Sequence, residues 1–339
     1  MDWLESLTLG AVQGLTEFLP VSSDGHLAVT QQVFARIRGV SRPPAEDVFF
    51  DVMLHVGTLT AILIYYRQAI LQGMRGLSGS KEVPEGFQRA GVIRVGMLAF
   101  VATLPLVPDA LFLKKWIDQA FQSPVATGVG FWISALVLLL THWFRGTEKG
   151  KGPADMTWLD ALLVGVAQAF APLPGVSRSG LTIASALMLG LSRSWAVGFS
   201  LLIAVPAILG ATVFELRKVD PSSLSGDRVA QIVAATVLAG IVGYFAITFL
   251  VRIVRSGRVW YFSLYLVAIG LVVLATLGRG ALERGRDDGP TATLDRARGA
   301  GPHGMETGPV ADRSGTKPLA GPHAGESPPS DRDPGPTRD

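Results

Sequence analysis

Six stretches of this chain are each long and apolar enough to cross a lipid bilayer, near residues 48–66, 94–112, 127–144, 195–214, 230–251 and 260–278. A helix of about 20 residues spans the hydrocarbon core, where every backbone N–H and C=O must be paired inside the segment. The pattern predicts an all-α polytopic membrane protein. Composition agrees: only 17% of the 339 residues are charged and 49% are hydrophobic, whereas soluble domains carry about a quarter charged residues. With no cysteine, disulfides, thiolate metal sites and a cysteine nucleophile are excluded. The net charge of +3, with no basic run interleaved with aromatic residues, gives no sign of a nucleic-acid partner. The start, Met1-Asp2-Trp3-Leu4-Glu5, lacks the basic opening of a signal peptide, so insertion is expected to rely on internal segments.

Two further segments, roughly 3–34 and 158–191, are apolar but interrupted at Leu19-Pro20-Val21-Ser22-Ser23-Asp24-Gly25-His26 and Leu173-Pro174-Gly175-Val176-Ser177-Arg178-Ser179-Gly180. Clusters of proline, glycine and hydroxyl residues end one helix and cap the next. Each segment reads as two half-helices meeting at a polar turn, which survives at membrane depth only inside protein or a wet cavity. Gly10 to Gln13 and Leu19 to Ser22 parallel Gly165 to Gln168 and Leu173 to Ser177, and three spans follow each. The expectation is an inverted repeat, six transmembrane helices plus two re-entrant broken-helix hairpins. Repeat one covers about 1–144 and repeat two about 158–278, within a membrane catalytic domain at 1–284.

Loop charge sets the orientation. With the 67–93 loop inside, the inner loops hold Arg67, Arg75, Lys81, Arg89, Arg145, Lys149, Lys151, Arg193, Arg252, Arg255 and Arg258. The outer loops hold Lys114, Lys115, Arg217, Lys218 and Arg228. Eleven against five follows the positive-inside tendency and puts both termini outside. The first broken segment then enters from outside and the second from the cytoplasm, so their turns can meet near the midplane. From residue 285 to 339 the chain holds 9 of the 21 prolines, 10 glycines and no aromatic residue. Such a tail cannot bury a core and is expected to be disordered, with His303 and His323 given no catalytic weight.

In the first motif, Gln13 and Glu17 are four apart and share a helix face. Pro20 stops that helix; Ser22, Ser23 or Asp24 caps the next, with His26 in its first turn. A capping cluster with one satisfied buried acid explains Ser22 or Asp24, but ionisable Glu17 and His26 in a membrane segment are costly and point to function. In the second motif, Arg178 is the one charge between Asp160 and Arg193. Its guanidinium requires an anionic partner, and its fork suits phosphate. Ser177 and Ser179 are candidate caps of a helix beginning at Gly180, whose N–H groups favour an anion. An Arg178–Glu17 ion pair between the repeats would explain the charges, but not the two serines and two glycines around them. Asp51 and His55, four apart at the start of a span, fit a cavity or a membrane interface equally well. Gln168 fits a broken helix end and His142 an interfacial site; Phe199, Ser200 and Pro206 read as packing and kink positions.

The strings Gln13 to Ser23, Gly25-His26 and Pro174 to Gly180, with His55 to Leu59 and Gly190 to Arg193, resemble the undecaprenyl-diphosphatase family, the bacitracin-resistance type of lipid-carrier phosphatase. The likeness spans roughly residues 3–278. It implies a multi-pass enzyme of the bacterial plasma (inner) membrane that removes the terminal phosphate of undecaprenyl diphosphate and regenerates the carrier for peptidoglycan synthesis. It also implies a divalent cation, Mg²⁺ or Ca²⁺. Carried over residue by residue, Glu17 is the essential acid and Gln13 the Glu-or-Gln position, together the metal ligands. Ser23 and His26 form the nucleophile or activation pair. Ser177 and Arg178 match the phosphate-binding residues; Ser22, Ser179 and Gly180, from the reading of the two turns themselves, are further substrate-binding candidates, and Arg178 is counted with Glu17, Ser23 and His26 as catalytic. Gln13 replaces one carboxylate, Asp24 stands where Thr or Ser is usual, and Val176 where Thr is common; Asp24 either supplies the missing charge or only caps. The nucleophile is left open among Ser23, His26 and water. The expected partners are the lipid substrate and membrane lipids, with a homodimer as one arrangement. A flippase or secondary transporter using the same inverted-repeat site is the rival class; a purely structural membrane protein ranks third.

Overall fold

Residues that end helices lie where the sequence changes character, and the chain folds accordingly. The computed structural model describes residues 2–39, 47–80, 82–108, 112–121, 123–144, 146–217 and 225–278. The tail expected to be disordered from residue 285 lies outside the described residues, as do Lys81, Arg145 and Lys218 of the loop charges. Twelve α-helices and no β-strand occur among the described residues. Helix α1 (Trp3–Thr16) begins at Asp2, whose carboxylate accepts the Glu5 N–H at 2.8 Å, and α2 (Ser23–Ile37) begins at its cap Ser22. They are followed by α3 (Asp47–Tyr65), α4 (Arg67–Leu77), α5 (Arg89–Thr103), α6 (Lys114–Phe121) and α7 (Pro124–Leu140), with Pro124 in the first turn of α7. There its missing N–H costs nothing. A reciprocal Thr157–Asp160 capping box opens α8 (Trp158–Ala169), and Ser177 caps α9 (Arg178–Met188). The chain continues through α10 (Arg193–Leu216), the 30-residue α11 (Gly226–Arg255) and α12 (Tyr261–Val273).

Each interrupted segment is therefore two helices around a turn: α1 and α2 in the first, α8 and α9 in the second. The apolar spans are less uniform than expected. Three helical stretches, Arg89–Leu106, Arg193–Phe214 and Gly226–Arg255, are long and apolar enough to cross a bilayer alone, and up to five spans result if each bent pair counts as one. The stretch at 48–66 is α3, which turns through 69° into α4. Helix α7 has 17 residues, and the 13-residue α12 runs on through a five-residue π turn, Leu274–Gly278. The protein is thus an all-helical, multi-pass membrane protein. Phe100, Val237, Phe245 and Leu264 are exposed on its surface, as lipid contact allows but water does not favour.

Small residues let the helices touch backbone to backbone, the usual device where lipid removes the hydrophobic drive for association. Helix α1 lies along α11, and a methyl added at Gly10 would sit 2.6 Å from the Ala235 carbonyl oxygen. Helix α8 lies along α5, and a methyl at Gly165 would sit 2.5 Å from the Ala102 carbonyl oxygen. Because backbone cannot swing aside, Gly165→Ala should destabilise the protein by about 1–3 kcal/mol. Thermal unfolding in detergent checks this, and an unchanged midpoint would contradict the close α5–α8 seam.

Candidate active site

Helix α1 ends as Pro20 approaches, and its last polar turn carries Gln13 and Glu17 on one face. Phe18, Leu19 and Val21 of the turn are buried, which anchors the polar residues around them. Ser22 has φ 69°, the one positive value outside glycine among the described residues, a conformation that costs energy in any L-residue with a side chain. In return its hydroxyl accepts the Gly25 N–H at 3.3 Å and caps α2. In the second turn, Gly175 takes φ 82°, and a methyl there would lie 2.1 Å from the Thr127 carbonyl oxygen; only glycine fits. Ser134 of α7 fastens this turn, donating to the Gly175 carbonyl at 3.1 Å and accepting the Ser177 N–H at 2.8 Å.

The two turns meet. A methyl on Gly25 would be 2.9 Å from the Gly175 Cα, and Ser179 donates across the contact to the Leu19 carbonyl at 3.0 Å. At this junction Glu17, only 5% exposed, gathers four side chains. Arg178 Nη2 donates to its Oε1. Its Oε2 accepts from Ser23 Oγ at 2.6 Å and from Gln13 Nε2 at 3.0 Å. His55 Nε2 stands 3.5 Å from the same oxygen and 3.7 Å from Asp24 Oδ1. A hydroxyl, a carboxylate and a guanidinium are in contact, and two helices, α2 and α9, begin beside them. Helix N-termini favour negative charge. Such a set is able to support attack by a hydroxyl on an anionic centre, with a carboxylate in place to receive the proton.

Several expectations need revision in detail. Helix α9 starts at Arg178, two residues before Gly180, and the Gly180 N–H is held by the capping hydroxyl of Ser177 at 3.0 Å. Ser179 ties the turns together instead of capping. The structure does not pair His26 with Ser23: His26 Nδ1 meets the Ser22 carbonyl oxygen at 2.7 Å and Nε2 the Tyr265 hydroxyl at 2.6 Å. The Ser23 hydroxyl is turned to Glu17. His55 belongs to the cluster, with Nδ1 held 2.8 Å from the Asp51 carbonyl oxygen; its spacing from Asp51 is the signal in the sequence. Gln168 lies apart, donating to the Ala102 carbonyl at 3.4 Å. Gln13 Oε1 is buried without a hydrogen-bond partner. An orphaned acceptor beside a carboxylate fits a cation, although no group of three or more His, Asp or Glu among the described residues is arranged to hold one.

A family model described as "Bacitracin resistance protein BacA" matches residues 6–272. A protein named "Undecaprenyl-diphosphatase" from Carboxydothermus hydrogenoformans is 36% identical over 282 residues, covering 83% of this chain and 99% of its own. Proteins of the same name from Chloroherpeton thalassium and Mycolicibacterium smegmatis are each 35% identical, over 293 and 287 residues, covering 84% and 83% of this chain and 99% of their own.

Proposed function

The chain belongs to the bacitracin resistance protein BacA family, and on that premise we propose that its two touching turns form the site at which undecaprenyl diphosphate is hydrolysed. The protein is an undecaprenyl-diphosphate phosphatase: it converts the lipid diphosphate to undecaprenyl phosphate and inorganic phosphate, which serves cell-wall synthesis and bacitracin resistance. The observation that carries the site assignment is the joint engagement of Glu17 by Ser23 of one turn and Arg178 of the other.

Phosphoryl transfer needs charge neutralisation and in-line positioning above all. Arg178 exchanges Glu17 for the terminal phosphate, its fork matching two phosphate oxygens. Ser23 Oγ attacks the terminal phosphorus and its proton passes to Glu17, 2.6 Å away. The bond from that phosphorus to the bridging oxygen breaks, and undecaprenyl phosphate leaves. Water then attacks the phosphoserine while Glu17 returns its proton to Ser23 Oγ, releasing inorganic phosphate and restoring both the hydroxyl and the carboxylate. Glu17, not His26, is the base in this scheme, because it is the group the Ser23 hydroxyl touches. The Glu17 carboxylate and Gln13 Oε1 are the oxygens that would hold a divalent cation. Mg²⁺ usually takes one or two carboxylates plus substrate phosphate, and bound here it would offset diphosphate charge.

The same proposal includes an inverted repeat in the bacterial inner membrane, with hairpin α1–α2 entering from outside and α8–α9 from the cytoplasm. Its support is exchange packing. Hairpin helix α1 leans on α11 through Gly10, while its counterpart α8 leans on α5 through Gly165. A flippase would share this scaffold, but carriage alone has no use for a serine hydroxyl against a buried carboxylate, and the curated relatives are named for a diphosphatase.

The test is phosphate release by purified protein in detergent, followed by acid trapping with substrate labelled on the terminal phosphate. Label should appear on Ser23, Ser23→Ala should lose at least ~10²-fold in turnover, and a chelator should reduce release reversibly. Wild-type turnover by Ser23→Ala would overturn the nucleophile assignment.

A further inference from the structure

Tyr265 lies on α12, outside both turns and every motif singled out in the sequence, yet its hydroxyl oxygen is 2.6 Å from His26 Nε2. The two rings are stacked, with centroids 5.7 Å apart and planes within 10°, and the Phe131 ring meets the imidazole edge-on at 5.1 Å. The other ring nitrogen, Nδ1, is 2.7 Å from the Ser22 carbonyl oxygen. A carbonyl only accepts, so Nδ1 carries a proton. In the neutral ring Nε2 then offers a lone pair, and the tyrosine O–H donates to it. One bond fixes the tautomer and the other fixes the orientation, as the partner on the second nitrogen of a functional histidine commonly does.

What His26 holds gives this arrangement its consequence. Ser22 is the residue with φ 69°, and its carbonyl belongs to the peptide unit that leads into Ser23. That carbonyl accepts twice, from the His26 backbone N–H at 3.2 Å and from the ring. The chain of contacts runs from Tyr265 to the imidazole, from the imidazole to the strained peptide, and from that peptide to the hydroxyl on Glu17.

We propose that Tyr265 is a positioning residue of the phosphatase: its hydroxyl clamps His26, and through His26 the Ser22–Ser23 peptide, so that the Ser23 hydroxyl is presented in line with the terminal phosphate. This rests on Ser23 as nucleophile. The hydrogen bond that Tyr265 makes is to His26 and not to Ser23, Glu17 or Arg178, so its removal should act on the rate and not on binding.

The test is Tyr265→Phe, which keeps the ring stack and removes the O–H. By analogy with the outer partners of metal-bound histidines, whose loss lowers activity by about 10- to 100-fold, a loss of that order is expected here, and it should fall on kcat, with KM for undecaprenyl diphosphate unchanged. In lipid nanodiscs, nitrogen NMR of ¹⁵N-histidine protein should show His26 with a protonated Nδ1 and a hydrogen-bonded, unprotonated Nε2. The Nε2 resonance should move in Tyr265→Phe, a change that general loosening of α12 would not confine to one nitrogen. Unchanged kcat, a proportionate rise in KM with kcat intact, or a His26 resonance insensitive to the substitution would each overturn the proposal. Failure of the Ser23 reading is separable: full turnover by Ser23→Ala leaves the His26 signature in place while removing its catalytic meaning.

Discussion

Glu17→Gln should leave the protein inserted and folded while lowering phosphate release from undecaprenyl diphosphate by at least ~10³-fold, within the range that key charged groups contribute to phosphoryl transfer. The glutamine is nearly isosteric, so packing around this buried position survives. What changes is the acceptor. Glu17 Oε2 receives the hydroxyl of Ser23 at 2.6 Å and the amide of Gln13 at 3.0 Å, while Oε1 receives Arg178. An amide supplies one oxygen where the carboxylate supplies two, and it cannot take up the serine proton at neutral pH. Removing the negative charge also releases Arg178 from its resting partner. The variant should therefore bind inorganic phosphate more tightly than the wild type, since the anion no longer competes with a carboxylate. Tighter ground-state binding together with a collapsed rate is the expected pair of results, measurable by phosphate titration and single-turnover release. Substantial turnover by Glu17→Gln would remove the acid from the mechanism. Weaker phosphate binding would mean that Glu17 contributes to the anion site only by holding a cation.

The parts of this site that depend on local spacing are legible in the amino-acid sequence. Pro20 and Ser22 mark the break in the first segment, Gln13 and Glu17 share a face because they are four apart, and Ser177 has the hydroxyl and the position of a helix cap. Those are properties of one turn of backbone. The relation between turns is another matter. The pairing of Ser23 with His26 is attractive in sequence, since residues three apart on a helix are neighbours, but the ring finds the Ser22 carbonyl four residues back and Tyr265 from α12 instead. His55 is ambiguous in sequence because spacing from Asp51 tells that they share a face of α3, not that the face turns towards Glu17. Tyr265 carries no signal at all. A tyrosine in an apolar helix, 239 residues from its partner, reads as a membrane aromatic until the packing of α12 on α7 brings it beside His26. The apolar stretches at 48–66 and 260–278 fall on α3 and on α12 with its π turn, but hydropathy measures how apolar a stretch is and does not register the bend after α3 or the π geometry at the end of α12.

Arg178→Ala should lower kcat/KM by ~10³-fold, the scale on which a transition-state arginine acts, and Arg178→Lys should recover only part of that loss because an ammonium keeps the charge but not the two-pronged donor set. The stability effect distinguishes this variant from Glu17→Gln. Arg178 leaves its side chain 17% exposed, whereas that of Glu17 is 4% exposed. Deleting the arginine strands a carboxylate with little water, and breaking a buried pair from one side costs about 3–5 kcal/mol as an upper bound. Gln13 and Ser23 still donate to Glu17, which reduces the penalty, so a clear fall in the thermal midpoint is expected but not unfolding. The double variant Glu17→Gln, Arg178→Ala then decides what the pair is for. Neutralising the stranded acid should restore the midpoint towards wild type, because the two residues are in contact and their effects cannot add. Turnover should stay absent, since both the proton acceptor and the phosphate fork are gone. If the double variant recovered activity along with stability, the ion pair would be a structural clasp between the two turns, and the phosphate would have to be bound elsewhere.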